Sequence, residues 1–259
     1  MNIWRASIIF LTALIAGMIN SVAGGGTLVT FPTLLWIGIN PVSANVTCTV
    51  ALWPGSLGAT IGFRRELSES RRWMLLLGLP SILGGLLGAC LLLITPERLF
   101  SSIVPFLILF ATILFIIGEP ITRKLAGQVD SASSVDPTSD RGWWAIAILF
   151  QFAVAVYGGY FGAGMGILML AALSLMGLND IHQMNGLKNF YVVCINIVAA
   201  AYFIASAKVV WPYALIMAIG AIAGGYGGAG LARKLGRRFI RRAVIAIGIG
   251  MACSLLLKS

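Results

Sequence analysis

Four polar residues in one apolar block, Asn185, Lys188, Asn189 and Asn196, are the side chains in this sequence best suited to chemistry. Spaced at i, i+3, i+4 and i+11, they share one face of an α-helix. An ammonium flanked by amides offers an anion both charge and orienting hydrogen bonds. An earlier block carries Asn45, Thr49 and Ser56 at the same offset, with Cys48 where the later block has Lys188. Polar groups are costly inside hydrocarbon, so each such stripe is a candidate binding site. The competing reading is structural: Asn and Thr also hydrogen-bond neighbouring helices, and a lysine near a block's end can snorkel to the interface.

Two glycine runs are the second feature, Gly24-Gly25-Gly26-Thr27 and Gly162-Ala163-Gly164-Met165-Gly166. Each lies between a full-length and a short apolar block. Glycine permits a sharp reversal, and the helix that follows starts with unpaired N–H groups and a partial positive charge. That arrangement suits an anion, and paired interruptions of this kind point to a transport site. The candidate substrate-binding residues are therefore Gly24, Gly25, Gly26, Thr27, Asn45, Thr49, Gly164, Gly166, Asn185, Lys188 and Asn189.

The acidic residues are Glu66, Glu69, Glu97, Glu119, Asp130, Asp136, Asp140 and Asp180, and none lies deep within an apolar block. A cation pathway usually needs an intramembrane carboxylate, so an anion fits better. The single histidine, His182, stands beside Asp180 just before the stripe. The pair is a candidate for proton coupling, with a helix cap or surface position as the alternative. No catalytic constellation, metal-ligand cluster or phosphate-binding loop is present, so neither an enzyme nor a cofactor is expected. The four cysteines, Cys48, Cys90, Cys194 and Cys253, stand singly within apolar blocks and indicate no disulfide framework.

The elements that must position these groups belong to a membrane protein. Of 259 residues, 59% are hydrophobic and 10% charged, and mean hydropathy is +0.97, which all but excludes a water-soluble domain. The net charge of +10 is concentrated in two clusters, Arg64, Arg65, Arg71, Arg72 and then Arg233, Lys234, Arg237, Arg238, Arg241, Arg242. Both fall between apolar blocks, as cytoplasmic loops do; nucleic acid is not an expected partner, whereas the lipid bilayer is. Arg5, the apolar run after it and Ser21-Val22-Ala23 have the look of a secretory signal. The glycine run that follows recurs later in the chain, so the segment is expected to remain as part of the fold.

Apolar blocks fall near residues 4–22, 27–37, 44–63, 72–94, 98–118, 143–161, 166–177, 186–206, 211–231 and 243–257. A bilayer core of about 30 Å takes about 20 residues of helix, so eight blocks are long enough or nearly so. The blocks at 27–37 and 166–177 are too short. Residues 119–142 are polar and read as a linker, dividing an N-terminal membrane repeat, 1–118, from a C-terminal one, 143–259.

A shift of 140 residues superimposes Gly24 on Gly164, Gly26 on Gly166, Leu28 on Leu168, Asn45 on Asn185 and Phe63 on Phe203. It also carries Gly84, Gly85 and Gly88 onto Gly224, Gly225 and Gly228, so the chain reads as two homologous halves. Equivalent loops carry opposite charge bias, which places the halves in opposite orientations. The expected fold is all-α: a polytopic membrane protein of two inverted-topology repeats with eight long spans and two short, glycine-interrupted elements. Loops 64–72, 119–142 and 233–242 fall on the cytoplasmic side.

The sequence resembles the TauE/SafE sulfite exporter family of bacterial membrane permeases. The resemblance rests on Ala16-Gly17-Met18-Ile19-Asn20-Ser21-Val22-Ala23-Gly24-Gly25-Gly26-Thr27, Phe31-Pro32, the turn Gly38-Ile39-Asn40-Pro41, and Asn45 with Thr49. It continues through Gly162 to Gly166, Gly177-Leu178-Asn179-Asp180 and Met184-Asn185-Gly186-Leu187-Lys188-Asn189. It implies sulfite, thiosulfate, an organosulfonate or another small anion as substrate, and the bacterial cytoplasmic membrane as location. With the polar stripes, the expectation is a secondary transporter of small anions working by alternating access. A passive anion channel, a membrane subunit acting through a partner, and a homo-oligomer stay open.

Overall fold

In the computed structural model the apolar blocks fold as α-helices, the one open-ended structure that satisfies its own backbone in hydrocarbon. Residues 3–22, 25–128, 141–178, 180–235 and 237–256 are described. In chain order the helices are α1 (Ile3–Val22), α2 (Thr27–Trp36), α3 (Pro41–Gly62), α4 (Arg64–Glu69), α5 (Arg71–Ile94) and α6 (Glu97–Gln128). There follow α7 (Arg141–Tyr160), α8 (Met165–Leu175), α9 (Ile181–Ala205), α10 (Trp211–Leu235) and α11 (Arg237–Leu256). Among the described residues there is no strand.

Eight of these helices have 20 residues or more, while α2 and α8 have only 10 and 11. Among the described residues four stretches, Ile3–Asn20, Arg71–Ile94, Glu97–Leu114 and Ile181–Ala205, are long and apolar enough to cross a membrane. Large apolar side chains stand exposed around the outside, among them Ile3, Leu75, Ile94, Phe106, Ile146 and Ile219. Such a belt is unfavourable in water and suited to lipid; the chain is a multi-pass membrane protein.

Two segments differ from their sequence reading. Helix α6 runs on to Gln128, ten residues into the polar segment that begins at 119, and residues 129–140 lie outside the described residues. The cationic loop at 64–72 contains a short helix, α4, because buried Leu67 takes one turn of chain down onto α9, near Gly186.

Equivalent local devices recur one half-chain apart. Helix α2 ends at Gly38 (φ +97°), with Ile39 N–H donating to Leu34 O and Gly38 N–H to Leu35 O, both at 3.0 Å. Helix α8 ends in the same paired pattern at Gly177 (φ +85°), with Leu178 N–H on Leu173 O and Gly177 N–H on Ser174 O; only glycine takes this left-handed closing residue without strain. The next helices are each capped by a side chain: Asn40 Oδ1 accepts from Ser43 N–H at 2.7 Å, and Asp180 Oδ1 from His182 N–H at 2.8 Å.

Packing repeats in the same way. Helix α1 lies along α10 and α5 along α7, while α3 and α9 sit between these pairs and touch each other. Small residues let the backbones approach: a Cβ at Gly88 would strike Val156 O of α7, and one at Gly224 would strike Leu14 O of α1. Near the start of α3, Thr47 Oγ1 accepts from Val210 N–H, beyond the end of α9; near the start of α9, Gln183 Nε2 donates to Ser70 Oγ, beyond the end of α3. These two central helices therefore run in opposite directions.

Candidate functional site

Breaking a helix with glycine frees backbone groups that must be held by something else. The first break is held by Asn20, in the last turn of α1: its Oδ1 accepts from Gly25 N–H at 2.9 Å and Gly26 N–H at 2.7 Å. The second is held differently. Tyr157 Oη donates to Ala163 O at 2.5 Å, and Asn45 Nδ2, from α3 of the other half, donates to Tyr160 O at 2.8 Å. Gly164, left-handed at φ +77°, then starts α8. Phe31 of α2 meets Phe161 edge to face at 5.4 Å, which ties the two breaks together.

The starts of α2 and α8 converge on one cavity at the junction of the halves. It has about 40 Å³ of room for the centres of water-sized atoms, where a single water takes on the order of 10–15 Å³; a few waters or one small anion fit. Its wall brings together residues from both halves: Asn20, Gly25, Thr27, Thr49 and Ser56 from the first, and Gly162, Gly166, Lys188, Asn189 and Asn196 from the second. Cys48 also faces it, with its Sγ 3.4 Å from Thr30 Oγ1.

Lys188 is 1% exposed and donates from Nζ to Asn185 Oδ1 at 3.3 Å. Asn189 is 3% exposed, and its Nδ2 is buried with no protein partner. Burying an amide donor unpaired costs about 1–3 kcal/mol, so this atom is matched to a ligand or water acceptor. The described lining contains one cation and no carboxylate or imidazole. With the positive ends of two helices added, the chamber favours a small negative group rich in acceptors.

Among the sequence-predicted residues, Gly25, Thr27, Thr49, Gly166, Lys188 and Asn189 line this cavity, and Gly24 lies outside the described residues. The others have different surroundings. Gly26 lies against Ala16 of α1 and Gly164 against Ala111 of α6. Asn45 Nδ2 is engaged by Tyr160 O while its buried Oδ1 has no protein partner, and Asn185, half-exposed, donates to Ile181 O of its own helix at 2.8 Å while supporting Lys188. The Gly25 and Gly26 N–H groups, read from sequence as donors to an anion, are instead committed to Asn20. Asp180 caps α9, and His182 is exposed beside it; neither lines the cavity.

Asn20 is the residue that spacing did not single out as part of the site. The available signal was an asparagine near the end of an apolar block, four residues before a run of three glycines. Such a residue has no periodic partner, and its role depends on a chain reversal that helical spacing does not describe.

Comparison with known proteins converges on one family. A family model described as sulfite exporter TauE/SafE matches residues 9–255. The chain is similar to a probable membrane transporter protein of a Sinorhizobium species, 29% identical over 96% of this chain and 91% of the relative. It is also similar to one from Haemophilus influenzae, 28% identical over 96% and 94%, and to YfcA of Escherichia coli K12, 27% identical over 97% and 90%. No solved structure matches the chain.

Proposed function

The chain belongs to the TauE/SafE sulfite exporter family, a family of membrane transporters, and from that premise we propose that it is a secondary transporter of small anions. The substrate class is sulfite, thiosulfate or a short organosulfonate, moved by alternating access across the bacterial cytoplasmic membrane. The two halves rock about the cavity as inverted repeats, with loops 64–72, 119–142 and 233–242 on the cytoplasmic side. The opposed directions of α3 and α9 support the inversion. Arg72 over the Trp144 ring at 5.5 Å, beside Trp73, supports an aromatic and cationic belt at that interface.

One observation carries the reading. Buried Lys188 and the unpartnered Nδ2 of Asn189 face a small chamber between two glycine breaks, with no acidic side chain among its described lining residues. In this reading Lys188 supplies charge and the amides fix orientation. His182 and Asp180 stand apart from the cavity, so no residue is assigned to proton coupling.

The test is flux of labelled sulfite, thiosulfate and methanesulfonate in liposomes holding the purified protein, with and without an imposed proton gradient. Saturable, uphill movement of one of them is expected. Strictly downhill flux would make the protein a channel, and no flux of any would remove this substrate class.

A further inference from the structure

We infer that Asn20 is a positioning and anion-selecting residue, holding the first glycine turn through its oxygen while offering its amide nitrogen to the anion; this rests on the small-anion reading above. An asparagine side chain has an acceptor at one end and two N–H donors at the other. Asn20 Oδ1 accepts from both Gly25 N–H and Gly26 N–H, at 2.9 and 2.7 Å. Two backbone donors on one oxygen determine which way round the amide lies. Asn20 also lines the cavity, so what it has left to give the chamber is its NH₂ group.

The setting supports a ligand contact at this place. The same wall carries Asn189, 3% exposed, whose Nδ2 has no protein partner, and buried Lys188. Asn20, Asn189 and Lys188 thus surround one small volume with N–H groups from α1 and α9, beside the start of α2. An anion with several bare oxygens can accept from all of them at once through charge-assisted bonds, which are about twice as strong as those to a neutral acceptor, and a cation would be repelled by Lys188.

The second half shows what simple loop-holding looks like. Its turn is fastened by Tyr157 and Asn45, and neither lines the cavity. A shift of 140 residues puts Tyr160 where the first half has Asn20. The first break is therefore fastened by a side chain that also faces the chamber.

Asn20→Asp separates the two jobs. A carboxylate keeps both acceptor contacts to the glycine N–H groups but replaces the donor end with negative charge. Full-length protein in lipid nanodiscs would be titrated with sulfite, thiosulfate and methanesulfonate by calorimetry, alongside thermal unfolding and liposome flux. Asn20→Asp is expected to keep the parent's thermal midpoint and to raise Kd and KM by about tenfold or more, as loss of a charge-assisted hydrogen bond does. Asn20→Gln, which keeps an amide nitrogen, should raise KM less. Parent-like affinity in Asn20→Asp would overturn the inference. Failure of Asn20→Asp to fold would overturn it too, since the acceptor contacts are retained. If the parent binds none of the three anions, the small-anion reading fails first, and this inference with it.

Discussion

Helices α3 and α9 occupy equivalent places in the two halves, yet at positions 140 apart one presents Asn45, Cys48 and Thr49 and the other Asn185, Lys188 and Asn189. Around them the frame is nearly the same: left-handed glycines close α2 and α8, side chains cap α3 and α9, and glycines seat α5 on α7 and α10 on α1. The polar roles are not the same. Asn45 is 1% exposed and bonded to the opposite half, whereas Asn185 is half-exposed and bonded within its own helix. Cys48 of α3 and Lys188 of α9 both line the cavity. Two lysines there would set like charges in a small chamber, and each would disfavour the charged form of the other. A doubled frame whose described cavity lining holds one ammonium is the arrangement that the small-anion proposal calls for.

The comparison breaks most severely at the frame. Gly88→Val and Gly224→Val should each abolish folded protein, because even a Cβ at these positions would strike the backbone of the facing helix; parent-like elution in size-exclusion chromatography would show that the helix pairs are looser than described.

At the site, Lys188→Ala should lower kcat/KM for the anion by about 10- to 100-fold, the range for losing a charged hydrogen bond. Moving the charge sharpens the test. In Lys188→Cys with Cys48→Lys, the cavity regains an ammonium, now carried by α3, and partial recovery of flux relative to Lys188→Cys alone is expected. No recovery would mean that the two positions are not interchangeable.

Smaller effects should follow from the divergent asparagines. Asn45→Ala leaves Tyr160 O without its partner, Asn185→Ala takes the Oδ1 acceptor from the buried Lys188 ammonium, and each should cost about 1–3 kcal/mol. Thermal midpoints in one detergent would measure both. The smallest change is expected at Gly250→Ala, where a Cβ meets nothing within 4 Å. It should stabilise by about 0.4–1 kcal/mol by restricting the unfolded chain, and a destabilisation would mean that lipid or a partner fills that space.

The helical frame was legible because apolar blocks and glycine runs are strong one-dimensional signals, and the shift of 140 residues made them corroborate each other. Lys188, Asn189 and Thr49 were legible for a related reason: i, i+3, i+4 spacing on an apolar block points them to one face. Asn45 shared that spacing, but its bond spans 115 residues, and no local pattern reports which half a side chain reaches into. Asn20 eluded the spacing argument because its partners are backbone groups of a turn. The extension of α6 to Gln128 was hidden by a polar composition that helix propensity tolerates at a helix end.

The central claim is that both halves share one anion site, and substrate protection tests it most directly. In a background with Cys48, Cys90, Cys194 and Cys253 replaced by alanine, single cysteines at the equivalent positions Thr49→Cys and Asn189→Cys would be reacted with a small thiol reagent while the transported anion is titrated. The account predicts that the anion protects both cysteines over the same concentration range, because one bound ion lies between them. Protection of one without the other, in protein that still transports, would contradict it.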